Sequence, residues 1–149
     1  MIARKARPEE ADEVCLKDPV RPDIPLGWRV RPDLSEVYIL DSIHRTHRLP
    51  DAVLCLAKCE QIPITEDELL SMNSGDFIIC YSVWSYRKGA GRQIILDVIN
   101  QLKTTTKDQY RYISMSPKTW MAYNFHLRNG AKLLQVNETT QNFEYEIMK

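Results

Sequence analysis

Neither sign of charge prevails in this sequence: its 149 residues carry 20 Lys and Arg against 20 Asp and Glu, a net charge of zero. Nucleic-acid and membrane-surface binders show a basic excess, so neither is expected as a partner. No apolar run approaches the length of a membrane span, and the opening "MIARKARPEEADEV" lacks the apolar core of a secretory leader. A cytoplasmic protein is the expectation. Glycine is scarce, at five residues. The P-loop pattern G-x4-G-K-[ST] is missing, and a dinucleotide fingerprint would need a third glycine where Ile94 stands. The four cysteines fit no standard zinc spacing. Cys55 and Cys59 with His44 and His47 form a conceivable ligand set. Against it, Cys55 and Cys80 sit in apolar runs, where a free cysteine behaves as a small hydrophobe. Reduced thiols and no metal are expected.

What is present describes one soluble globular domain, residues 1–149, with 44% hydrophobic and 27% charged residues. Ile2 to Ala6 reads as a short strand. "RPEEADEVCLK" opens a helix, with Pro8 early and acids in its first turn. Asp18 to Asp33 holds four of the eight prolines and reads as a loop without regular structure. Val37–Leu40 and Ala52–Ala57 suggest a hairpin. "TEDELLSM" begins with a capping box, Thr65 with Glu68. "FIICYSVW", Phe77 to Trp84, is apolar on both faces, as a central strand covered by helices would be. The helix after it places Ile95, Val98, Ile99 and Leu102 on one face. "YRYISM" is a strand, and the next helix is expected with Ser116 as N-cap, Pro117 at its first position and Gly130 just past its end. "AKLLQV" and "FEYEI" read as closing strands. The order describes a mixed α/β sheet with a right-handed parallel crossover.

Between the central strand and its helix lies "SYRKGAGRQ", two glycines and three cations ahead of an apolar, helix-periodic run. The first turn of a helix offers unpaired N–H groups and a positive dipole end, so such a turn suits an anion. A plain strand-to-helix connection is the alternative on this turn alone.

These residues resemble the GNAT superfamily of acyl-CoA-dependent N-acyltransferases. The signature Q/R-x-x-G-x-G/A is matched by "YRKGAG", Tyr86 to Gly91, except at its first position. Ala122, Phe125, His126 and Gly130 fall on the spacing of the family's next helix, and "ARKARPEEADEV" looks like its usual start. The resemblance implies an α/β (α+β) fold with a mixed central sheet of six to seven strands flanked by helices. It implies transfer of an acyl group, most simply acetyl from acetyl-CoA, to a primary amine of a small molecule or protein, by direct attack in a ternary complex. The backbone N–H groups of Arg87, Lys88, Gly89, Ala90, Gly91 and Arg92 would hold the coenzyme A pyrophosphate. Tyr86 stands where Gln or Arg is usual, and the side chains of Arg87 or Arg92 would compensate. An N–H near Ser82 or Val83 would polarise the thioester carbonyl. His126 stands where the family has a tyrosine bonded to the departing sulfur, which makes it a candidate general acid; an ordinary helix histidine is the alternative.

The residues themselves offer further candidates. An attacking ammonium must lose a proton, and Glu60 or Asp76 is placed to accept it if either reaches the site. Trp28 and Arg29, with Arg21 and Arg31, suggest an acceptor site for an anionic substrate, or else the surface of a proline-stiffened loop. A homodimer is left open. The competing classes are a non-catalytic binding or structural protein of the same fold, as some phages encode, and a nucleotide-binding regulator.

Overall fold

A computed structural model of the chain describes residues 2–43, 49–105 and 110–146. His44, His47 and Ile147 lie outside them. The elements run β1 (Arg4–Lys5), α1 (Pro8–Cys15), α2 (Leu26–Arg29), β2 (Ser35–Leu40), β3 (Ala52–Cys59), α3 (Glu66–Ser71), β4 (Phe77–Ser85), α4 (Ala90–Thr105), β5 (Arg111–Pro117), α5 (Trp120–Arg128), β6 (Lys132–Val136) and β7 (Thr140–Tyr145). Among the described residues no helix is long and apolar enough to cross a membrane.

The strands form one seven-stranded sheet in the order β1-β2-β3-β4-β5-β7-β6. Neighbours are antiparallel except β4 and β5, which run parallel and are joined by α4. Apolar side chains cover both faces. On one, Ile94, Ile95, Val98 and Leu102 of α4 pack over Leu54, Leu56, Ile78 and Tyr112. Each such side chain contributes roughly 1.5–3 kcal/mol when fully buried, enough to anchor α4 whatever its intrinsic propensity. On the other face Ala11, Cys15, Ile24 and Leu69 cover Val37, Val53, Cys55, Ile79 and Ile113. Both faces of β4 are therefore covered, as its unbroken apolar run requires.

Local signals predicted some elements and misplaced others. Thr65 accepts from the Glu68 N–H at 3.1 Å and starts α3. The last long helix begins later than its Ser-Pro pair suggests. Ser116 and Pro117 belong to β5, paired with Gln141 and Thr140 of β7, and Thr119 caps α5 by accepting from the Ala122 N–H. Proline is tolerated at this strand end because it gives up a ladder donor only there. The proline-rich loop holds a short helix, α2, because Pro25 falls at its N-cap and leaves Leu26–Arg29 free of proline. Strand β7 starts at Thr140, before the apolar alternation does. Its buried Asn142 donates to the carbonyls of Pro63 and Ser114, so a polar residue sits inside without orphaned atoms.

Candidate active-site cleft

Two departures from regular pairing open the middle of the sheet. The β3–β4 register passes from Leu56↔Cys80 to Cys55↔Ser82, leaving Tyr81 as an extra residue in β4. Such a bulge bends and twists its strand. On the other side, the parallel ladder ends at Cys80↔Ser114, although β4 runs on to Ser85 and β5 to Pro117. Between the parted strands lies a cleft of about 670 Å³. Ser82, Val83 and Trp84 line it from β4, Met115 and Ser116 from β5, and Phe125 and His126 from α5.

The glycine turn meets this cleft at Gly91, which lines it and lies in the first turn of α4. A Cβ on Gly91 would stand 3.4 Å from the Phe125 ring, so glycine lets helix and ring approach closely. The positive φ belongs to Gly89 instead, at 84°. Within the turn, the Ala90 N–H donates to the Arg87 carbonyl at 3.0 Å and is not free for a ligand. The N–H groups of Lys88, Gly89, Gly91 and Arg92 have no backbone partner among the described residues.

The turn's side chains divide by what already holds them. Arg87 donates from Nε to Asp51 at 2.7 Å and from Nη2 to Gln93 at 3.0 Å. Arg92 donates to the Arg128 carbonyl at 2.8 Å, tying α4 to the end of α5. The Tyr86 hydroxyl accepts from Trp84 Nε1, and its ring is exposed. Lys88 is exposed and has no side-chain partner among the described residues.

His126 departs most from expectation. It is buried, stacked on Phe143 at 5.0 Å, with Nδ1 2.6 Å from the Tyr145 hydroxyl and Nε2 2.8 Å from Ser116 Oγ. Ser116 donates its one proton to Ser114, so Nε2 carries the imidazole proton toward Ser116 and Nδ1 accepts from the Tyr145 hydroxyl, whose oxygen also accepts from Asn129. Burial pushes the imidazole pKa down to about 4. At neutral pH it is a neutral, fully bonded ring, which corrects the expectation of an imidazolium acid.

The other candidates lie elsewhere. Glu60 follows β3, whose Cys59 pairs with Phe77 at the start of β4; the cleft is at the opposite end of that strand. Its carboxylate accepts from Asn73 instead. Asp76 lies at the same remote end, its carbonyl taken by the Arg111 N–H. Register thus places both away from the cleft. Arg29 is 1% exposed and donates to Asp18 at 2.7 Å and to the Arg21 carbonyl at 2.7 Å. Trp28 packs edge-on against Tyr81, with the Arg31 guanidinium 4.1 Å over its ring. Neither Trp28 nor Arg29 lines the cleft; both belong to the packing beneath it.

Cys55 and Cys59 are buried in that layer, and Cys55 Sγ lies 3.8 Å from Cys15 Sγ. Burial pushes the Cys59 and Cys80 thiols up to about 12. Sequence reasoning passed over Asp18. It accepts from the N–H groups of Val20 and Arg21, pairs with Arg29, and lies 2.8 Å from the hydroxyl of Ser82. No periodicity marks it; the only local hint is an acid opening a proline loop.

No protein-family model and no curated protein sequence matches this chain. Solved structures do. A protein described as a GNAT-family acetyltransferase from Desulfovibrio desulfuricans superposes with a TM-score of 0.66 at 12% identity, over 97% of each chain. An acetyltransferase of Bacillus subtilis in complex with CoA gives 0.66 at 11% identity, over 99% of each. Malonyl-CoA decarboxylase from Agrobacterium vitis gives 0.64 at 16% identity over 91% of this chain, which spans only 38% of that one. With its forked parallel pair and its glycine turn at the head of α4, this chain has the fold of the GNAT acetyltransferases.

Proposed function

We propose that this chain is an acyl-CoA-dependent N-acyltransferase, transferring an acyl group, acetyl in the simplest case, to a primary amine by direct attack. The observation that carries the proposal is the continuity of the α4 turn with the forked cleft through Gly91. A pyrophosphate fits the free N–H groups at the head of α4, with the Lys88 ammonium beside them. From there an extended pantetheine arm has the β4 edge, Ser82 to Ser85, on one side and Ala122 and Phe125 on the other. Gaining strand-like partners from β4 is the natural way for an amide-bearing chain to fill a parted ladder.

Proton handling is modest in this reading. A thiol has a pKa near ~8.5, so coenzyme A leaves readily as thiolate. The hydroxyl of Ser116, accepting from neutral His126, would donate a hydrogen bond there, without a full proton transfer, by turning its one proton from Ser114 to the sulfur. The described lining of the cleft carries no carboxylate, so the amine reacts as its neutral fraction or loses its proton through water.

That same lining supports a second reading, a binding protein of this fold without chemistry. Calorimetric titration with acetyl-CoA, then detection of free thiol with a panel of amines, separates the two. Binding with turnover establishes the transferase, and binding without turnover establishes the second reading. No binding at millimolar acetyl-CoA by folded protein overturns both.

A further inference from the structure

The fork between β4 and β5 is closed at its base by a side chain from the proline loop. Arg21 donates from Nε to the Tyr81 carbonyl at 3.3 Å and from Nη2 to the Met115 carbonyl at 3.1 Å. Tyr81 and Met115 are the residues immediately past Cys80↔Ser114, the last pair of the parallel ladder. Where two strands part inside a protein, the first unpaired carbonyls need other donors, because buried orphans cost about 1–3 kcal/mol each. A guanidinium supplies two in a fixed planar fork, which an ammonium cannot.

Arg21 is itself clamped from both sides. Asp18 Oδ1 accepts its N–H at 3.0 Å, and Arg29 Nη2 donates to its carbonyl at 2.7 Å. Asp18 and Arg29 are paired to each other, and Ser82 lies 2.8 Å from Asp18 on the β4 side. Burying this ion pair costs several kcal/mol of desolvation, which its many hydrogen bonds offset. The outcome is an arginine, 8% exposed as a residue, whose guanidinium is held at one point of the sheet.

We infer that Arg21 is a positioning residue for the acyl-CoA cleft: it replaces the missing ladder partners of Tyr81 and Met115 and so holds β4 and β5 apart at the width the ligand needs. The inference rests on the proposed acyl-CoA reading for its consequence, though not for its geometry. The proline loop, whose Pro19 and Val20 also line the cleft, then has a role in delivering Arg21 to the fork.

The test uses Arg21→Met and Arg21→Lys in the full chain, with two readouts at a temperature well below unfolding. The first is acetyl-CoA affinity by calorimetry. Arg21→Met should bind about tenfold to a hundredfold more weakly, since it leaves two buried carbonyls at the base of the fork without donors. Arg21→Lys, keeping the charge and one donor, should recover part of the loss. The second readout is amide hydrogen exchange at Ser82, Val83 and Ser116, which needs no ligand. It should change in Arg21→Met as the fork narrows or loosens. Wild-type affinity together with an unchanged exchange pattern overturns the inference. If wild type binds no acetyl-CoA but exchange at the fork responds to Arg21→Met, the functional reading fails while the role in the fork stands. Should Arg21→Met not fold, Arg21→Lys decides alone: unchanged affinity and exchange overturn the inference, and weakened binding supports it.

Discussion

Arg29 Nη1 lies 2.7 Å from Asp18 Oδ2, with side-chain exposures of 1% and 0%. Both groups were drawn into the core by the loop that the prolines seemed to leave at the surface. Removing one partner leaves the other charged and buried, at a cost of about 3–5 kcal/mol. Asp18→Ala should therefore lose about that much stability in urea denaturation. A loss below about 1 kcal/mol would mean that the pair is not buried in solution.

Gly91 allows a test of the cleft that leaves the core alone. Gly91→Ala adds a Cβ 3.4 Å from the Phe125 ring but gains about 1 kcal/mol of helix propensity, so stability should change little. Gly91→Val adds bulk at the cleft wall and should abolish measurable acetyl-CoA binding in a protein that still melts cooperatively. Undiminished affinity in Gly91→Val would show that the turn is only a connection.

The cations of the turn should separate by what they already bind. Lys88→Ala should leave the melting temperature unchanged and weaken acetyl-CoA binding by about 1 kcal/mol, roughly fivefold. Arg87→Ala should instead lower stability, because it leaves the nearly buried Asp51 carboxylate without its cation. Calorimetry and thermal melts on the two variants check this, and equal effects on both properties would refute the division.

His126 carries a stability signature in pH. Its folded pKa, about 4, lies below the ordinary value of 6.5, so the unfolded chain takes up the proton first as pH falls. The stabilisation is complete above pH 6.5 and is lost as pH falls toward 4, amounting to about 3 kcal/mol. Denaturation at pH 7 and pH 4.5 should show most of that difference in wild type and little of it in a folded His126→Gln variant. In a carbon-detected titration the imidazole should stay neutral at pH 6; a midpoint near 6.5 would contradict its burial.

The same burial bears on catalysis. If amines are acylated, the rate should not fall above neutral pH as it would with an imidazolium acid, and His126→Gln should reduce turnover less than Ser116→Ala. A pH–rate profile for the three proteins measures this. A descending limb in wild type that disappears in His126→Gln would restore the histidine as the acid.

What the sequence determined by itself was whatever rests on neighbours along the chain. The amphipathic spacing of Ile95, Val98 and Leu102 predicts α4, Thr65 and Glu68 predict the start of α3, and the two-sided apolar run of β4 predicts its central place. The turn from Tyr86 to Gly91 was legible for the same reason, since a strand, two glycines and a helix are contiguous. Tertiary structure decided what each polar side chain meets. Glu60 was a plausible base until the pairing of Cys59 with Phe77 set it at the wrong end of β4. His126 was a candidate general acid, or else an ordinary helix histidine, until Phe143 and Tyr145 of a later strand enclosed it. Arg21 finds its two carbonyls 60 and 94 residues away, a relationship no local spacing encodes. Backbone propensity and amphipathic period act over a few residues, whereas burial, register and the parting of two strands are properties of the assembled sheet.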